Sequence, residues 1–159
     1  MVITVLSNQN NDARICCVVR REWVKATPEE KVRQELLHTM IEEWGYPSSL
    51  ILVEKALLHL PGVNQAQRLP KRRMDIVCYA KNKQQELYPL LVVECKACQQ
   101  TAGSSFLQKL AHQLLGYNYY IGAPFIGVKT ADDFQVFDCK TSQKLSDSVS
   151  YQRLSAYLQ

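Results

Sequence analysis

Apolar residues crowd positions 14–24 (RICCVVRREWV) and predict an opening strand. Thr27-Pro28-Glu29-Glu30 then reads as a helix start, with Thr27 as N-cap, Pro28 in the first helical position and Glu30 closing a capping box. Val32, Leu36, Leu37, Met40, Ile41 and Trp44 recur at helical spacing, and Gly45 ends the run. Strands are expected around 49–60 and 72–80, and another ends at Lys96. The polar stretch 81–88 between the last two is short enough for a hairpin. Residues 104–120 predict an amphipathic helix with Phe106, Leu107, Leu110 and Leu114 on one face. Strands at 124–129 and 134–138 and a short helix from about Val149 complete the chain. No repeat, low-complexity tract or linker divides it, so 1–159 reads as one domain with a core at about 20–140. The order α-β-β-β-α-β predicts an α/β (α+β) fold, a mixed central sheet flanked by helices.

Two of these strands carry charge where burial would be costly. Asp75 opens the apolar run Met74-Asp75-Ile76-Val77-Cys78-Tyr79, and Glu94-Cys95-Lys96 closes the run that starts at Pro89. Side chains two apart on a strand share a face, so Glu94 and Lys96 project together while Cys95 points away. Antiparallel pairing brings Asp75 and Glu94 to neighbouring positions at one end of the sheet. Two carboxylates and an ammonium there suit a hard divalent cation: Mg²⁺, or Mn²⁺ in its place, held by Asp75, Glu94 and the Cys95 backbone carbonyl. Lys96 would orient or help deprotonate the hydrolytic water, or stabilise charge building on a phosphate. The same residues also allow a plain structural salt bridge, Lys96 with Asp75 or Glu94.

Asp-x18-Glu-x-Lys on two successive strands resembles the PD-(D/E)xK, or restriction-endonuclease-like, nuclease superfamily. Further stretches carry the likeness: Arg21-Glu22-Trp23-Val24, Thr27 through Gln34, Gly45-Tyr46-Pro47, Val53-Glu54-Lys55, Arg73 through Val77, Gln113 through Asn118 and Pro124-Phe125. Together they cover roughly residues 20–130, and the chain is similar to short proteins sharing the N-terminal nuclease domain of type I restriction enzyme R subunits. Met74 stands where the superfamily often has proline, which is not a ligand. The resemblance implies an αβββαβ nuclease core and Mg²⁺-dependent hydrolysis of DNA phosphodiesters, with Asp75, Glu94 and Lys96 as the catalytic set. It also implies that Gln113 and Tyr117, one helical turn apart, support the site or contact DNA. Related nucleases often send an acid from the first helix toward the metal; Glu30 is the candidate, and its capping duty is the competing reading. Glu54 is a possible outer acid.

The net charge of +4 is modest, but Arg68, Lys71, Arg72 and Arg73 cluster just before Asp75, where a phosphate backbone would approach. Arg20, Arg21 and Lys25 form a second basic group. The six cysteines come without a signal peptide or a membrane-length apolar run, so reduced thiols and a cytoplasmic location are expected. Cys95 and Cys98 have CxxC spacing, yet a zinc site needs two further ligands and a redox pair would normally open a helix. His38, His59 and His112 have no partner at ligand spacing. The chain has no phosphate-binding GxxxxGK[ST] loop, so a motor or specificity subunit is expected as a separate chain. Cutting both strands would favour a homodimer. The alternative is a catalytically silent nuclease-fold subunit that binds nucleic acid or assists assembly.

Overall fold

The run Leu90 to Cys95 is apolar at nearly every position, the pattern of a strand covered on both faces. In the computed structural model, which describes residues 5–6, 13–66, 68–98, 104–146 and 148–158, that run lies at the centre of a five-stranded mixed sheet. The helices and strands in chain order are β1 (Val5–Leu6), β2 (Arg14–Cys16), β3 (Trp23–Lys25), α1 (Pro28–Glu42), β4 (Ile51–Ala56), β5 (Arg73–Lys81), β6 (Leu87–Cys95), α2 (Ser104–Ile121), β7 (Phe125–Lys129), β8 (Phe134–Asp138) and α3 (Tyr151–Ser155). The large sheet runs β4-β5-β6-β7-β8; only the β6–β7 pair is parallel. A parallel neighbour demands a crossover, and α2 supplies it.

Each sheet face has its own core. Val32, Leu36, Leu37 and Met40 of α1 pack on Ile51, Ile76, Cys78, Leu91, Val93 and Cys95. On the other side Leu114 and Ile121 of α2 pack on Val77, Tyr79, Val92 and Ile126. Phe106 is half-buried and Leu110 buried as the α2 stripe predicts, while the Leu107 side chain lies outside the described residues. Gly45, at φ +70°, turns the chain out of α1, and Tyr46 follows it into the core, donating its hydroxyl to Val149 O at 2.8 Å.

The predicted element order holds, with two corrections. The opening strand over 14–24 is instead a hairpin of β2 and β3, preceded by β1 in a small antiparallel sheet. Cys17 N donates to Glu22 O, Arg21 N donates to Cys17 O, and Arg21 takes φ +56°, so the charged Arg20-Arg21-Glu22 run becomes a turn rather than strand interior. The strand expected at 49–60 is shorter, because Ser48–Leu50 and Leu57–His59 curl into 3₁₀ turns around β4.

Gly127 lies on β7 where a Cβ would meet Phe134 Cε2 at 2.9 Å and Val93 Cγ2 at 3.2 Å. The Phe134 ring is stacked on Trp44, 5.5 Å between centroids, and has little room to yield. Gly127→Ala should therefore destabilise the fold by about 1–3 kcal/mol in urea denaturation, and adding Phe134→Leu should recover part of that loss.

Candidate active site

The β5–β6 register pairs Ile76 with Val93, so the next opposed residues are Asp75 and Glu94, where the ladder stops. Asp75 Oδ2 accepts the Cys95 N–H at 2.7 Å, so the side chain takes the place of a ladder acceptor. The other neighbouring strand deviates at the same level. Val53 pairs with Ile76 and Lys55 with Met74, but Glu54 between them takes φ +49°, a left-handed conformation that non-glycine residues seldom hold. Side-chain alternation also breaks here: Ile76 faces the α1 core, whereas Met74 and Val77 both face the α2 core. Asp75 is thus left half-buried at the sheet end.

Glu94 and Lys96 project together, as strand periodicity requires, and Lys96 Nζ lies 2.9 Å from Glu94 Oε1. Arg72 Nη2 reaches the same oxygen at 2.5 Å. Glu94 is only 4 % exposed, and among the described residues its buried Oε2 has no hydrogen-bond partner. The Arg72 guanidinium also sits over the Tyr117 ring, 5.2 Å from its centroid. Gln113 and Tyr117 line a narrow cleft with Arg72 and Glu94, so the α2 pair does join the carboxylate site. The basic cluster separates by role. Arg72 turns inward, Arg73 Nε donates to Glu54 O at 3.0 Å, and Arg68 and Lys71 are exposed.

A residue outside the expected site set holds the acidic side together. Arg33 on α1, its side chain 6 % exposed, donates through Nη2 to Asp75 Oδ1 at 2.9 Å. Its Nη1 bonds Glu30 and lies 3.4 Å from Glu54 Oε1. Arg20 Nη1 meets the other Glu54 oxygen at 3.0 Å. Gln34 Nε2 donates to Glu30 Oε1 at 2.7 Å, and Gln34 Oε1 accepts Val18 N–H at 3.1 Å. This corrects the capping-box reading of Glu30. Thr27 Oγ1 does accept Glu30 N–H, but Thr27 N–H goes to Lys25 O while the Glu30 carboxylate turns inward to Arg33 and Gln34. The missed signal was spacing: Glu30, Arg33, Gln34 and Leu37 stand at i, i+3, i+4 and i+7, so three polar residues extend the apolar stripe into the core.

The family model for the type I restriction enzyme R protein N terminus matches residues 28–154. The chain belongs to that family. No curated protein matches the chain, and no solved structure does. The matched span of this R protein N-terminal domain takes in α1, the whole five-stranded sheet and α2, and with them Glu30, Arg33, Glu54, Asp75, Glu94, Lys96, Gln113 and Tyr117. Membership ties it to restriction systems and a nuclease-like role in them. Among the described residues no helix is long and apolar enough to cross a membrane.

Electrostatics of the domain fit a compensated ionic site. Burial raises the Asp75 carboxyl above its ordinary value; the Cys95 N–H and Arg33 oppose that rise, while Glu94 adds to it. Burial works against the charges on Arg33, Arg72 and Lys96, but the carboxylates outweigh it and hold all three above their ordinary values. The Cys95 thiol is pushed up by burial and faces the α1 core, the opposite of a reactive cysteine. Among the described residues no group of three or more His, Cys, Asp or Glu side chains is placed to hold a metal. Mg²⁺ asks for less, since one or two carboxylates suffice and waters fill the remaining positions. Asp75 and Glu94 are the carboxylates that would serve, and Glu94 Oε2, without a partner among the described residues, is an acceptor that a hard cation would complete.

Replacing Arg33 tests the arrangement. Arg33→Met leaves Glu30 and Asp75 short of a buried counter-charge and should cost about 3–5 kcal/mol. The folded Asp75 pKa already lies above its unfolded value, so stability falls as pH rises through it and the buried group ionises. Removing Arg33 takes away a lowering influence, moves that pKa further up and widens the gap. The loss measured by urea titration should therefore be larger at pH 8 than at pH 5; equal losses would contradict the ionic account.

Proposed function

We propose that this domain is a metal-dependent nuclease that hydrolyses phosphodiester bonds of DNA, with Asp75, Glu94 and Lys96 as its catalytic set. One observation supports the reading: Asp75, Glu94 and Lys96 lie together at the end of β5 and β6, with a Glu94 oxygen buried and, among the described residues, unpartnered beside a lysine ammonium. Asp75 and Glu94, with the Cys95 carbonyl, are the groups that would hold Mg²⁺ or Mn²⁺. Such an ion supplies Lewis-acid stabilisation of the phosphoryl group and makes a neighbouring water a better nucleophile.

The chain's own residues do the rest. Arg33 fixes one Asp75 oxygen and the Cys95 N–H fixes the other, so that carboxylate cannot swing freely. Lys96 is held protonated by Glu94, which favours it as a donor to the pentavalent phosphorane-like charge rather than as a base. Water adds to phosphorus and gives up a proton to the surrounding solvent, the P–O bond to the leaving sugar oxygen breaks, and that oxygen takes a proton from solvent, so one water is consumed per bond cut. Arg72, anchored by Glu94 and Tyr117, offers a second cation at the same edge. Gln113 and Tyr117 would support this geometry from α2, and Arg68, Lys71 and Arg73 would meet the phosphate backbone.

A second reading has an observation of its own. Arg33 and Arg72 with Lys96 already compensate both carboxylates, as suits a nuclease-fold subunit that binds nucleic acid without turning it over. Either role leaves room for a separate motor or specificity subunit or a second copy.

Cleavage decides between them. Wild-type protein with Mg²⁺ or Mn²⁺ should cut supercoiled plasmid or single-stranded DNA, and EDTA should stop it. Asp75→Asn, Glu94→Gln and Lys96→Ala should each lower the rate by roughly 10²-fold or more while circular dichroism stays native. No cutting by folded wild type would favour the silent subunit; equal cutting by Lys96→Ala would remove that residue from the mechanism.

A further inference from the structure

Between the 3₁₀ turn that follows β4 and the segment that leads into β5, the surface opens into a groove of about 430 Å³. That size falls within the ~300–1,000 Å³ of small-ligand sites. Its floor and walls are aliphatic: Leu57, Leu58, Leu69 and Pro70. Leu58 is 46 % exposed, whereas Leu57 beneath it is fully buried. The rim is cationic, from Lys71, Arg72 and Arg73, and among the described residues no carboxylate lines it. Its walls are fixed to one another. Leu57 N donates to Arg72 O and Arg72 N to Pro70 O, both at 2.8 Å. Arg72 lines the groove, and its guanidinium, bound to Glu94, ties the groove wall to the site.

An apolar floor under a rim of cations suits a ligand that is flat and apolar at one end and anionic at the other. We propose that the groove takes an unpaired nucleobase of the substrate strand, its flanking phosphates lying on the exposed Lys71 and Arg73. This rests on the nuclease reading and narrows it: the preferred substrate is single-stranded or frayed DNA rather than intact duplex. A paired base is stacked and hydrogen-bonded within the helix, and extracting it costs a few kcal/mol. A single strand offers the base without that cost, and its phosphates provide the salt-dependent attraction.

The experiment measures binding in EDTA, so its result is independent of cleavage. A DNA single strand carrying 2-aminopurine, and a hairpin carrying the same base paired, are each titrated with protein at low salt. Anisotropy of a terminal dye reports binding, and 2-aminopurine emission reports whether that base leaves its stack. The expected result is tighter binding of the single strand with a rise in emission. Leu58→Asp, at an exposed position, should weaken single-strand binding by roughly tenfold and abolish the rise, with hairpin binding little changed. Leu58→Phe should keep both signals. Binding without any emission change, equal loss on both substrates in Leu58→Asp, or no binding of the single strand would each overturn the groove assignment. The nuclease reading itself stands or falls on the plasmid and single-strand cleavage measured separately.

Discussion

The structure depends on a buried arginine. Arg33 enters the core from the first turns of α1 and spans Glu30, Glu54 and Asp75, three acids from three different elements. A charge so nearly removed from water is tolerable only when fully compensated, and each of those acids is costly without it. The cluster therefore enforces the relative placement of helix α1, edge strand β4 and the end of β5. It also explains why the β-ladder can afford to fail on both sides of Asp75. The hydrogen bonds lost from the strands are replaced by a side-chain network that has to be satisfied as a whole.

The opposite side of the site is organised differently. Glu94 faces α2, where Lys96 and Arg72 converge on one of its oxygens and leave the other without a partner among the described residues. Asp75 is thus immobilised on both oxygens, while Glu94 retains a free acceptor in a buried setting. The two carboxylates differ in environment although they face each other across adjacent strands. That asymmetry is what a hard cation and a phosphate would meet on entering the cleft.

Much of this was legible from residue order because it follows from period. Continuous apolar runs marked β5, β6 and β7, Thr27-Pro28 marked the start of α1, and i, i+2 spacing placed Glu94 with Lys96. The misses lie where local pattern gives way to tertiary contact. Thr27 and Glu30 have capping-box spacing, but a buried arginine one turn away offers the carboxylate a stronger partner than a backbone amide does. Arg20-Arg21 looked like strand because its neighbours are apolar, yet two cations could not continue through a half-buried ribbon. Arg72 read as one member of a phosphate-binding cluster, and only the fold reveals that Glu94 and Tyr117 hold it. Nothing in a linear motif states that Glu54 must adopt a left-handed backbone.

Glu54 has a consequence for where this domain can be divided. The family match begins at Pro28, and the small sheet of β1 to β3 precedes it. By that measure the hairpin is an appendage. Yet its turn sends Arg20 to one Glu54 oxygen while Arg33 takes the other, and Val18 N–H is bound by Gln34. A boundary cut at residue 28 would sever a salt bridge one residue removed in the network from Asp75. The ionic network of this chain therefore reaches beyond the span matched to the family, and grafting or trimming it should respect the electrostatic border at Arg20 rather than the start of the match at Pro28.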